Sequence, residues 1–262
     1  MSALDDGVAA LAPVPLDELV AEAALLTRVD RKYVLPLADA ERVVAALPAG
    51  TRVLEIGGHR GLRYESVYFD TPDLLSWRLA AHSRRRRFKV RTRTYADTGV
   101  AFLEVKTRGA RRATVKERID YDVDDRERLT PEGHEYAEAS LRPLGLDAGI
   151  VDELVPTLVS GYRRTTFAPP EAGLRATLDV GLAWELPDGT RLETPQVAIV
   201  ETKSGARASD VDRVLWRAGH RPVSISKYGT GLAAIRGDLA AGRWARVLRR
   251  HFAREGGVRC AA

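Results

Sequence analysis

The chain is poor in cysteine: Cys260, near the C-terminus, is the only one, which excludes an intrachain disulfide and a cysteine-built zinc site. No apolar run approaches the roughly 20 residues that a membrane-spanning helix needs. Met1 to Pro15 lacks the basic stretch and apolar core of a secretory signal. These three absences together place the expected location in the cytoplasm. No internal repeat is present, and no low-complexity segment beyond the Ala/Pro-rich N-terminus. Neither sign of charge dominates, with 41 Lys and Arg against 36 Asp and Glu and a net charge of +5. Where the cations lie is therefore more telling than how many there are. At 45% hydrophobic and 29% charged, the 262-residue chain has the composition of a globular protein able to bury a core.

Residues 1–15 are read as a loose N-terminal tail, 16–252 as one domain and 253–262 as a loose C-terminal tail. Apolar spacing predicts helices at 16–26, 38–47, 73–79, 131–141, 150–154, 209–218 and 231–252, with Ser209 as an N-cap and Gly219 beyond the end. Strands are expected at 28–35, 51–57, 62–70, 85–96, 100–108, 113–123, 160–168, 173–184, 195–203 and 222–226. Several are joined by tight turns such as Asp97-Thr98-Gly99 and Pro187-Asp188-Gly189. Strand following strand argues for an antiparallel sheet, so the expected class is α+β.

The strands alternate with one chemistry. Lys89, Arg91 and Arg93 share a face, backed by Phe88 and Val90. Glu104 aligns with Lys106, Lys116 with Arg118, Arg175 with Thr177 and Asp179, and Glu201 with Lys203. A wet sheet face normally alternates too. It mixes signs, however, because two like charges near 4 Å cost about 4 kcal/mol at an effective dielectric of about 20. Repeated cations on one face call for a polyanion. Helices rich in Ala, Leu and Val need the apolar strand face, which leaves the charged face open or rolled inward. Closure also removes sheet edges, and about eight strands enclose a lumen for one slim ligand. The expected architecture is an antiparallel β-barrel tunnel of about eight strands with helices packed outside. Glu201 and Glu104 among the cations read either as simple ion-pair partners or as ligands for a hard divalent metal shared with phosphate oxygens. Asp179 and Asp30 are weaker candidates for the same role.

The ordered series Arg31-Lys32-Tyr33, Val67-Tyr68-Phe69-Asp70-Thr71, Lys89-Val90-Arg91-Thr92-Arg93, Phe102-Leu103-Glu104-Val105-Lys106 and Lys116-Glu117-Arg118 continues in Tyr162-Arg163-Arg164, Arg175-Ala176-Thr177-Leu178-Asp179, Val200-Glu201-Thr202-Lys203 and Ser226-Lys227-Tyr228. Over roughly residues 25–230 it resembles the polyphosphate polymerase domain of the vacuolar transporter chaperone (VTC) complex, in its bacterial single-domain form, among the CYTH-like triphosphate tunnel metalloenzymes. The resemblance implies a basic tunnel, use of ATP or another nucleoside triphosphate, and Mn2+ or Mg2+ as cofactor. It carries phosphate binding to Lys32, Arg91, Arg93, Lys106, Lys116, Arg118, Arg164, Arg175, Lys203 and Lys227, and the metal to Glu201. Lys89, Ser226 and Tyr162 are added as phosphate partners, and Glu104 as a second metal ligand. Asp30 departs from the family, which usually has Glu there. The regulatory and transmembrane domains of the fungal complex have no counterpart here, so export of a product would need a membrane-protein partner.

The expected reaction is metal-dependent phosphoryl transfer onto inorganic polyphosphate. Arg91, Arg93, Arg164 and Lys203 are the candidates for offsetting anion–anion repulsion. No general base is needed, because the attacking phosphate is already ionised. A triphosphatase using Glu104 to orient water, and a polyphosphate-binding module without turnover, remain open alternatives. A nucleic-acid binder is disfavoured, because the run Arg84-Arg85-Arg86-Arg87 has no interleaved aromatics and reads as a tunnel-mouth patch or a solvated strand end. The five histidines and four tryptophans are read as surface or structural residues, and Asp70-Thr71-Pro72 as a helix-capping turn.

Overall fold

The computed structural model describes residues 2–21, 29–108, 114–171, 173–252 and 258–260. The fold is α+β. Eight antiparallel strands are hydrogen-bonded in the order β7 (Thr114–Tyr121), β6 (Val100–Arg108), β5 (Phe88–Tyr95), β4 (Leu62–Asp70), β8 (Val155–Ala168), β9 (Arg175–Glu185), β11 (Val197–Ser204) and β2 (Val29–Pro36). Short strands extend this path: β10 (Arg191–Thr194) on β9, β12 (Val258–Cys260) on β10, and β3 (Arg52–Leu54) on β8 with β1 (Ala12–Val14) beside it. Among the described residues no ladder joins β7 to β2, so the barrel is not closed by hydrogen bonds. The expected strand at 222–226 runs beside this gap without forming a ladder, and Val223 N–H donates to the Lys32 carbonyl at 2.7 Å.

The apolar strand faces point outward and are clad by helices. Tyr33, Leu35, Leu178, Ala198 and Val200 pack beneath α1 (Ala3–Ala9), α3 (Leu37–Ala45) and α6 (Asp210–Arg217), which contribute Leu4, Val8, Val43, Val44, Val211 and Leu215. Val67, Phe69, Phe88, Val90, Leu103 and Val105 pack beneath α5 (Pro131–Leu141) and the turn 148–151. With both apolar faces covered from outside, alternation leaves the charged residues on the concave side.

One expectation about the helices is corrected. α7 (Lys227–Ile235) stands against the concave side instead of outside it: Tyr228 stacks on Tyr68 at 4.9 Å, and Trp184 Nε1 donates to the Lys227 carbonyl at 2.9 Å. Leu158, Leu182 and Trp184 from the strands, Trp77 of α4 (Leu75–Ala81), Leu232 of α7 and Trp244 form an apolar cluster with Tyr68 and Tyr228. Buried Asp70 ties these pieces together. Its carboxylate accepts the amides of Thr71, Ser76 and Trp77 at 2.8–2.9 Å and the Tyr228 hydroxyl, while burial pushes its pKa up.

The N-terminal residues are not loose. Ser2 caps α1 in a box with Asp5, Leu4 and Val8 are buried, and β1 pairs with β3. α2 covers Leu16–Ala21, and the rest of the helix expected at 16–26 lies outside the described residues. Residues 258–260 pair with β10, which corrects the loose-tail reading for that stretch. The single helix expected at 231–252 is two, α7 and α8 (Ala245–His251), separated by residues 236–244, which include a 3-10 turn at Gly242–Trp244. No helix among the described residues is long and apolar enough to cross a membrane.

Two glycines let α7 approach the tryptophans. A Cβ at Gly231 would lie 2.1 Å from Trp184 Nε1, and one at Gly229 would lie 2.2 Å from the Trp244 ring. Gly231→Ala is predicted to destabilise the fold by about 1–3 kcal/mol through overpacking. Gly205→Ala, where a Cβ meets nothing within 4 Å, serves as the control. Denaturant unfolding of the two variants measures the difference.

Candidate functional site

Register brings the concave residues together. On β5 and β6, Lys89 faces Lys106, Arg91 faces Glu104 and Arg93 faces Phe102; β7 sets Lys116 beside Lys106 and Arg118 beside Glu104. On the other wall, Arg164 faces Asp179, Thr177 faces Glu201, Arg175 faces Lys203 and Glu201 faces Lys32. Lys227 enters from the first turn of α7, with Ser226 as its N-cap. All the expected phosphate-binding and catalytic residues therefore share one surface. They come from seven strands and the start of one helix.

Three carboxylates are embedded in this surface. Glu104 accepts from Arg91 Nε and Nη2 at 2.8 and 2.6 Å, pairs with Lys116 at 2.7 Å and has Arg93 at 3.8 Å. Burial would raise its pKa, but these cations hold it well below the carboxylate range. Asp179 receives Arg164 in a two-pronged contact at 2.6 and 2.7 Å and also Lys227, which depress it in the same way. Glu201 pairs with Lys32 at 2.9 Å and has Lys203 at 3.8 Å; against the opposing effect of burial they bring its pKa down to about 2. The Glu104 and Asp179 side chains are 1% exposed, whereas Glu201 is 15% exposed. Of the three, Glu201 alone keeps part of its side chain accessible.

Among the described residues neither Lys89 nor Lys106 has a carboxylate within ion-pair distance. Lys89 donates to Ser226 Oγ at 2.7 Å, and Lys106 opens into the lumen. Burial first, and then neighbouring cations (Lys106 and Arg91 for Lys89, Lys32 and Arg91 for Lys106), push both below the ordinary lysine range, Lys89 strongly. They line a cavity of about 320 Å³ together with Lys32 and Ser226.

Several hydroxyls on this surface lack partners as well. The Tyr162 hydroxyl is buried and unpaired, and although burial opposes it, Arg93, Arg164 and Lys227 lower its pKa. Ser66, Ser160 and Thr177 are also buried with unpaired hydroxyls among the described residues. A native interior leaves few such groups, so these are donors available to a ligand or to water. Ser66 and Ser160 went unnoticed in the sequence, because a serine in an alternating strand carries no distinguishing pattern. Arg118 lies 4.2 Å over the Phe102 ring on the exposed edge strand, and Arg175 Nη2 donates to the Leu19 carbonyl at 2.7 Å.

No group of three His, Cys, Asp or Glu converges among the described residues. A protein-built metal cage is therefore excluded there. A divalent ion that takes one or two carboxylates and completes its shell with phosphate oxygens does fit, at the part-exposed Glu201. Glu104 is closed in by three cations, and Asp179 by two.

Because Lys89 holds its proton weakly in the free protein, a bound polyanion should restore it. Tripolyphosphate binding is predicted to take up protons on the acid side of the ordinary lysine pKa, and its affinity to fall as pH rises through the depressed value. The unfolded chain holds this proton more tightly, so the free protein should gain stability over the same rise. Calorimetry in two buffers of different ionisation enthalpy measures the uptake, which Lys89→Met should reduce.

No protein of curated function matches the chain. Loosely similar solved structures include a candidate adenylate cyclase from Vibrio parahaemolyticus, 16% identical over 73% of this chain and 86% of that one, with a TM-score of 0.39. A conserved hypothetical protein from Pyrococcus furiosus is 13% identical over 74% and 88%, with a TM-score of 0.38. A candidate adenylyl cyclase from Hippeastrum, described as having a dominant triphosphatase activity, is 16% identical over 82% and 98%, with a TM-score of 0.43. None of the three bears on the chemistry of this site. The VTC domain model matches residues 27–236. That span holds every strand of the eight-strand path and every residue of the cationic surface, and the chain belongs to the VTC domain family.

Proposed function

We propose that the chain extends inorganic polyphosphate, using a nucleoside triphosphate such as ATP as phosphoryl donor. The observation that carries this reading is the unbalanced charge inside the curled sheet. Lys89 and Lys106 sit side by side with no carboxylate in ion-pair distance among the described residues, while Arg91 and Arg164 are already paired. A linear chain of phosphates is an anion long and slim enough to neutralise such a surface.

In the proposed step, a terminal oxygen of the polyphosphate chain attacks the γ-phosphorus. The bond between that phosphorus and the oxygen bridging to the β-phosphate breaks, releasing ADP and a chain longer by one phosphate. No proton has to move. The barrier lies in bringing two anions together, and Arg91, Arg93, Arg164 and Lys203 would offset their repulsion. Guanidinium groups suit this role because their planar forks match phosphate oxygens. Lys32, Lys89, Lys106, Lys116, Arg118, Arg175, Ser226, Lys227 and the Tyr162 hydroxyl would hold the remaining phosphates. Glu201 would hold Mn2+ or Mg2+, which would supply further neutralisation of phosphate oxygens. Glu104 is better suited to fixing Arg91 and Lys116 than to binding metal, since both of its oxygens face cations. The same engagement weakens the triphosphatase alternative, which needs that carboxylate free to orient water. Export of the product would fall to a membrane-protein partner.

The test is to incubate purified protein with ATP and Mn2+ or Mg2+, following released phosphate and polyphosphate on gels. The expected outcome is polymer that forms only with metal and falls by about 10²-fold or more in Glu201→Ala. Free phosphate without polymer would make the protein a triphosphatase. Neither product, with tight polyphosphate binding, would make it a binding module.

A further inference from the structure

The cavity that opens beside Lys89 and Lys106 continues into a second group of cations. Phe88 and Thr107 are the last ladder pair of β5 and β6 at this end. One residue further along each chain stand Arg87 and Arg108, and both line the same cavity as Lys89, Lys106 and Ser226. Arg243 joins them from the turn before Trp244, anchored by Nε to Ser224 Oγ at 2.9 Å and by Nη1 to Ser83 Oγ at 3.1 Å. Among the described residues, no carboxylate pairs with any of these three arginines, and Asp30 is the one acid in the cavity lining. Burial and the charges of Arg108 and Arg243 lower the pKa of Arg87, which records how closely the three are crowded. This is a different situation from the interior, where Arg91 and Arg164 each lie against a buried carboxylate. Three arginines around an open cavity, one of them anchored on two serine hydroxyls and none paired with a carboxylate among the described residues, are a site for a multivalent anion.

We propose that Arg87, Arg108 and Arg243 form an outer anion site at this mouth. It grips phosphates of a polyphosphate chain beyond those held by Lys89 and Lys106, and so governs how far the chain grows before release. The site rests on the polyphosphate reading for its ligand class, but its position predicts a property that the inner surface does not. On this proposal the inner cations hold a ligand of three phosphates by themselves, while a long chain engages both groups. Affinity should therefore rise with chain length, and the increment should belong to these arginines.

The experiment measures tripolyphosphate and long-chain polyphosphate binding to the full chain by calorimetry. The wild type is compared with Arg87→Ala, Arg108→Gln, Arg243→Gln and the triple variant; thermal unfolding verifies that each is folded, and the single variants stand in should the triple not fold. Each single substitution is expected to weaken long-chain binding by about tenfold, equivalent to about 1.4 kcal/mol, and to leave tripolyphosphate affinity unchanged. With ATP and metal, the variants should make shorter chains at an unchanged rate of transfer per phosphate. Arginine-dependent long-chain binding in a protein that makes no polymer would support the mouth site while overturning the polymerase reading. Long-chain affinity and product length that match the wild type in the folded variants would overturn the mouth site, whatever the enzyme makes.

Discussion

Asp179 is held by Arg164 from one side and by Lys227 from the other, and Glu104 gathers Arg91, Arg93 and Lys116 in the same way. These embedded carboxylates allow a cationic strand face to fold inward at all. Without them, guanidinium and ammonium groups from neighbouring strands would meet at ladder spacing in a low-dielectric interior, where each close repulsion costs several kcal/mol. Compensation is partial. Lys89 and Lys106 are ladder partners whose pKa values are lowered by burial and by the neighbouring cations. On the proposed function a bound polyanion would offset this remaining repulsion, which would link the stability and the binding of this domain through the same residues.

The outer shell follows from that arrangement. Because the charged side chains occupy the concave face, the alternate residues must be buried elsewhere, and α1, α3, α5 and α6 supply the cover. α7 is the exception, and its position has a chemical consequence. By crossing to the concave side on the Asp70–Tyr228 contact, and by fitting Gly229 and Gly231 against Trp244 and Trp184, it delivers Ser226 to Lys89 and Lys227 to Asp179. Packing of the apolar end therefore positions two residues of the charged surface.

The sequence made the strands and the charged face readable, because alternation with period two survives without any knowledge of the neighbours. Strands at 62–70 and 100–108 fall where the pattern puts them. The first half of β8 did not show, since Pro156 argues against a strand; it is tolerated where the register of β4 and β8 slips between Tyr68 and Phe69. The N-terminal segment was misjudged from its Ala/Pro content, although the Ser2–Asp5 capping box and the Leu4/Val8 spacing were already present in it. Residues 222–226 are apolar enough to suggest a strand but lie beside the open gap next to β2. Which carboxylate is closed and which is open could not be read, because the partners of Glu104 come from β5 and β7 and that choice is made by register. The outer arginines were visible only as a basic run, since Arg108 and Arg243 join Arg87 through the fold.

The most direct test of the account is an experimental structure with tripolyphosphate bound and no nucleotide. Density for the phosphates is expected inside the curled sheet, within hydrogen-bonding distance of Lys89, Lys106 and Arg164, with Glu104 still paired to Arg91. Phosphates bound only on the outer surface, with the interior cations contacting water alone, would contradict it.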